Sequence, residues 1–204
     1  MATQQVSQDF EARQLLKAYR KGLISDELFE AQMRELQNGA KYVFRGKSHA
    51  SEREMILHLL DEYRCAENFA CEYLGCWSEV SDQDCVKGGL RVIQRREGYH
   101  AQLLEERLRE LGGVPQCTVP TEQRAKEMAV YTSREKKDTE KLQYIANQIP
   151  DLSKAVKFIT DVIDQIQEDQ ETKELLRSLV QDEISSGQWL LEANQLLNGT
   201  KAAA

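Results

Sequence analysis

Proline is scarce in this 204-residue chain, which has only three. Nowhere does an apolar run approach the roughly 18 residues that a membrane-crossing helix requires. The opening MATQQVSQDF is polar, so neither a membrane span nor a secretory signal is expected. Basic excess is missing too: 27 Lys and Arg stand against 34 Asp and Glu, a net charge of −7, which disfavours a nucleic-acid partner. No C-x-x-C pair occurs among Cys65, Cys71, Cys76, Cys85 and Cys117, so a zinc ribbon is not supported. An odd number of thiols on helical segments predicts reduced cysteines in a cytoplasmic protein.

What is abundant is Leu, Glu, Lys, Gln and Ala, the composition of long amphipathic helices. Residues 8–37 read as a helical hairpin. Phe10, Leu15, Leu16 and Tyr19 lie on its first helix, Gly22 is the stop, and Ser25 caps a second helix carrying Leu28, Phe29, Met33 and Leu36. The stretch LLKAYRKGLISDELFEAQMREL resembles the SHOCT module, which implies an appended interaction element and no chemistry. Packing of the hairpin on the main domain is an equal alternative. Residues 38–50, with two glycines and mixed charge, are expected to be a linker.

Four long helices are expected in 51–199, near 51–80, 82–111, 122–149 and 170–197, with a shorter one over 151–166. Ser51 and Glu54 form a capping box, Ser81 caps the second helix, and Gly112-Gly113 ends it. Proline brackets the crossover at 113–121, and Pro150 ends the third helix.

Placing residues at 100° intervals puts one glutamate near the middle of each apolar stripe. On the first helix Glu62 lies among Met55, Cys65, Phe69 and Tyr73, while Glu67 points about 140° away, onto the solvated side. Glu97 and His100 interrupt the second seam, and Glu183 the fourth. For the third helix the stripe through Glu135 and Asp138 is preferred, because the competing face would bury Arg134 and Lys141. Four buried carboxylates without partners would be costly, so a shared cation or a proton-sharing network is implied. Glu97-x-x-His100 places an oxygen and a nitrogen donor one turn apart, suited to iron or manganese and acceptable to zinc. The cysteines and His58 read as packing residues, although His58 lies one turn from Glu62.

The runs EYRCAENFACEYLGCW, RREGYHAQLLEERLRELGG and KELLRSLVQDEISSGQWLLEANQLL resemble the ferritin-like superfamily, which includes rubrerythrins and bacterioferritins. That resemblance implies an all-α, ferritin-like four-helix bundle with a di-iron carboxylate centre and oxidase or peroxidase chemistry. It implies Glu62 and Glu183 as terminal ligands, Glu97 and Glu135 as bridging ligands, and His100 as a nitrogen ligand. Ser186 stands where the second histidine of the pattern belongs, so a single-metal site, an asymmetric pair and a dead site are all compatible. The alternative reading is a non-enzymatic interaction or oligomerisation protein on the same scaffold. Apolar residues off the seams, among them Trp77, Trp189 and Leu191, predict a homodimer.

Overall fold

A computed structural model describes residues 13–38, 42–149 and 151–199. The chain separates into two compact units, Met1–Met55 and Ile56–Ala204.

In the first unit, residues 13–20 are helical (α1) and Asp26–Asn38 forms α2. Tyr19 and Phe29 stack between them at 4.3 Å, and Ser25 Oγ accepts from Leu28 N–H at 3.3 Å, the cap its position suggests. Phe10 lies outside the described residues. The segment expected to be a linker contains a hairpin instead: Tyr42–Phe44 (β1) pairs antiparallel with Lys47–His49 (β2). Arg45 and Gly46 both have positive φ, 47° and 76°, the conformation of a two-residue hairpin turn whose twist matches the strands. Mixed charge hid this, because only Tyr42 and Phe44 alternate as a strand should.

The longest helices are α3 (Glu52–Val80), α4 (Asp84–Glu110) and α9 (Gln170–Gly199). Ser51 Oγ caps α3 by accepting from Glu54 N–H at 3.2 Å, while Glu54 reaches back to Ala50 N–H at 3.0 Å. At the end of α4, Gly112 takes φ 73°, and Gly113 N–H returns to the Leu108 carbonyl at 2.8 Å. Between α4 and α9 lie α5 (Thr121–Tyr131), α6 (Asp138–Gln148), α7 (Leu152–Ala155) and α8 (Lys157–Ile163).

The expected single helix over 122–149 is thus two, and the break has a tertiary cause. Asp138 is buried at the start of α6, where its carboxylate accepts from Trp77 Nε1 (2.7 Å), Ser81 Oγ (2.7 Å) and the Asp82 and Gln83 amides (both 3.1 Å). Ser81 is therefore spent on Asp138, and α4 starts from Gln83 with no side-chain cap. Lys141, placed on a rejected face by its charge, is fully buried; its Nζ donates to the Tyr131 carbonyl at 3.2 Å, satisfying the last turn of α5. Trp77, expected to be free for a second subunit, is likewise fully buried within the chain.

These elements form a packed helical bundle. Leu74 and Trp77 of α3, Val86, Leu90 and Ile93 of α4, Tyr131 of α5, Leu142 and Ile145 of α6, and Leu190 of α9 share one core. Close approach of α4 to α9 requires Gly89, since a Cβ there would overlap the Trp189 ring at 1.9 Å. Among the described residues, no helix is long and apolar enough to cross a membrane.

Candidate metal centre

The seam that α3 turns to the bundle runs Ile56, Leu60, Tyr63, Glu67, Ala70, Leu74 and Trp77, alternating steps of four and three. A step averaging 3.5 residues is what a long helix packed against others presents. Glu67 sits at its centre and is only 5% exposed. On α4 the buried residues include Glu97, His100 and Ala101, and on α9 Val180, Ser186 and Gly187 flank Glu183.

Four side chains from three helices therefore converge. One donor atom from each of Glu67, Glu97, His100 and Glu183 lies within 4.8 Å of every other, so this buried group could hold a metal ion. His100 turns Nδ1 inward, 3.2 Å from Glu183 Oε1, 3.5 Å from Glu67 Oε2 and 3.8 Å from Glu97 Oε2. Its Nε2 faces outward, 3.3 Å from Asp182 Oδ2. A carboxylate on the outer nitrogen fixes the ring's orientation and leaves Nδ1 as the inner donor. Tyr63 donates its phenol to Glu183 Oε1 at 3.3 Å.

Burial above all raises the Glu67 and Glu97 carboxyls well beyond the carboxylate range, and the neighbouring glutamates push Glu97 further. These two act as one coupled pair that holds protons tightly when no cation is present. His100 is raised as well: burial opposes its charge, but Glu183 and Asp182 outweigh burial. One atom has no hydrogen-bond partner in this network. Glu67 Oε2 is buried and accepts no hydrogen bond, a condition that native proteins rarely tolerate without a ligand, an ion or water.

Of the residues expected at the site, Glu97, His100 and Glu183 are brought together, and two are not. Glu62 lies outside the group and pairs with His58 Nε2 at 3.1 Å, with nearly a third of its side chain exposed. Glu135 is exposed in the break between α5 and α6. Asp138, on the same expected stripe as Glu135, is held by four donors of its own. Glu67 was assigned to solvent because the stripe through Met55, Cys65 and Phe69 is also apolar; those three residues are buried too. The heptad of Ile56, Tyr63, Ala70 and Trp77 was the signal that could have identified Glu67.

At Ser186, where the ferritin-like pattern has a histidine, Arg96 Nη1 donates to the hydroxyl at 2.9 Å and to the Asp182 carbonyl at 3.0 Å. Searches of known protein families, curated proteins and solved structures find no match to the chain.

Proposed function

We propose that the chain is a ferritin-like metal protein that holds one transition-metal ion, iron by preference, on Glu67, Glu97, Glu183 and His100, and works as an oxidase- or peroxidase-type oxidoreductase. The observation that carries this reading is the buried Glu67 Oε2 without a partner, beside two more carboxylates and an imidazole. The donor set fits such an ion. For ligand bonds of roughly 2.0–2.3 Å, donors on opposite sides of an ion stand about 4.0–4.6 Å apart. A group spanning 4.8 Å thus needs only slight closure.

Three carboxylates and one neutral nitrogen favour an oxygen-preferring ion over one that selects thiolates, and they neutralise a trivalent charge. That points to iron ahead of zinc, with manganese next. A bound ion of this kind would supply one-electron redox chemistry. The chain's own residues supply the rest. Asp182 orients His100, Tyr63 holds Glu183, and burial keeps bulk water from Glu67, Glu97 and His100.

Ser186 favours one ion over two, because it offers no second imidazole and its hydroxyl accepts a hydrogen bond from Arg96. The test is metal analysis of protein purified without chelator and after anaerobic loading. About one ion per chain is expected, lost in Glu97→Gln and Glu67→Gln and kept in Glu62→Gln. Wild-type protein that takes up no iron, manganese or zinc would refute the reading.

A further inference from the structure

The three glutamates also line one part of a half-open cavity of about 260 Å³, bounded by α3, α4, α9 and the α6–α8 segment. Because their donor atoms lie together, they confine charge to one end. The other walls are hydrocarbon: Ala70, Ile93, Ile145, Val156, Ile159 and Leu190 among them. Four of the lining residues, Leu74, Ile93, Ile145 and Leu190, belong to the core itself, so the cavity extends the apolar interior to the carboxylates.

Two polar groups on the walls are already engaged. Ser186 Oγ accepts from Arg96, and the Tyr63 phenol donates to Glu183. Along the hydrocarbon walls, away from the carboxylates, a ligand's own amide, hydroxyl or phosphate would lose hydration with little in return. An anion would additionally meet the glutamates. Access lies at α7, where Ala155 is exposed while Val156 and Ile159 are buried. There Leu152 rests on α9, an approach that needs Gly187, since a Cβ would fall 2.4 Å from Leu152 Cδ2.

An apolar cavity of ~150 Å³ takes up benzene, so by proportion this one holds roughly ten non-hydrogen atoms. We propose that the cavity binds a neutral, hydrocarbon-like molecule of about ten non-hydrogen atoms, one end of it against the carboxylate group. Binding stands on the cavity alone; that the carboxylate end is the reacting end rests on the metal reading above.

Zinc-loaded full-length protein, labelled at isoleucine, leucine and valine methyls, is titrated with naphthalene and separately with 1-naphthoate. Saturable shifts of the Ile93, Ile145 and Ile159 methyls are expected with naphthalene, and at least tenfold weaker binding of the anion. Ala70→Leu, which fills the cavity, and Ala155→Leu, at its exposed rim, should each weaken naphthalene binding severalfold with zinc content unchanged. Absent shifts, equal binding of the naphthoate, or unchanged affinity in both folded variants would overturn the proposal. Protein that takes up none of iron, manganese or zinc but still shows the naphthalene shifts supports the cavity and overturns the metal reading alone.

Discussion

Asp138 and Glu67 are both acids carried into the interior of one helical bundle, and they are provided for in opposite ways. Asp138, at 1% exposure, receives hydrogen bonds from an indole, a hydroxyl and two backbone amides, drawn from the end of α3 and the turn into α4. Glu67, at 5%, has an oxygen that receives none and is surrounded by two further glutamates and a histidine. A buried carboxylate with a full set of donors holds structure together. A buried group of carboxylates short of donors could accommodate a cation.

Breaking the satisfied anion should have the largest effect. Asp138→Ala leaves the Trp77 indole N–H and two amides without their acceptor, a loss of about 3–5 kcal/mol. Chemical denaturation should show it, while the metal affinity of whatever stays folded is unchanged. In the middle of the bundle, Glu97→Gln should lower metal affinity more than about a hundredfold, beyond the 10–100-fold typical of an outer partner. Its metal-free stability should hold near neutral pH, because a neutral amide replaces a carboxyl that is already protonated there. A similar loss of stability in both variants would erase the distinction between the two regions.

Asp182→Asn tests the intermediate case. It leaves every inner donor in place but weakens the hold on His100 Nε2, so roughly a tenfold loss of metal affinity is expected by calorimetry.

The pH dependence of metal-free protein sharpens the comparison further. Glu67, raised to about 8, and Glu97, raised above it, bind protons more tightly folded than unfolded. Their stabilising contribution is complete below the ordinary carboxyl range and is lost as pH rises through about 8 and beyond. His100, also raised, acts in the same direction. Thermal unfolding in chelator should therefore occur at lower temperature at pH 9 than at pH 6. Added metal should remove most of that slope, since it replaces the protons. Glu62→Gln, outside the group, should leave the slope nearly unchanged, the smallest effect of the series.

Much of the site was legible in the residue pattern. Glu97 and His100 interrupt a seam that is otherwise apolar on α4, and Glu183 does the same on α9, so helical periodicity alone turned them inward. The first helix was harder. Met55, Cys65 and Phe69 are buried on one side of the seam through Ile56, Tyr63 and Trp77, so α3 is apolar over a wide arc. That arc offers two glutamates, and 3.6-residue counting favours Glu62, whereas Glu67 is the one that joins the buried group.

Sequence by itself determined where the long helices run, where glycines end them, and that acids and an imidazole lie on apolar faces. Those properties depend on backbone geometry and on neighbours three or four residues away. Tertiary structure decided three things: that Glu67 and not Glu62 faces the bundle, that the third helix breaks before Asp138, and that Lys141 is buried to cap α5. Each depends on a partner that is not a local neighbour. Glu67 meets Glu97 and Glu183 across two helices, Asp138 meets Trp77 from 61 residues away, and Lys141 reaches back ten residues to Tyr131. No local periodicity encodes such partners, because whether a buried charge is tolerated depends on what the folded chain places opposite it.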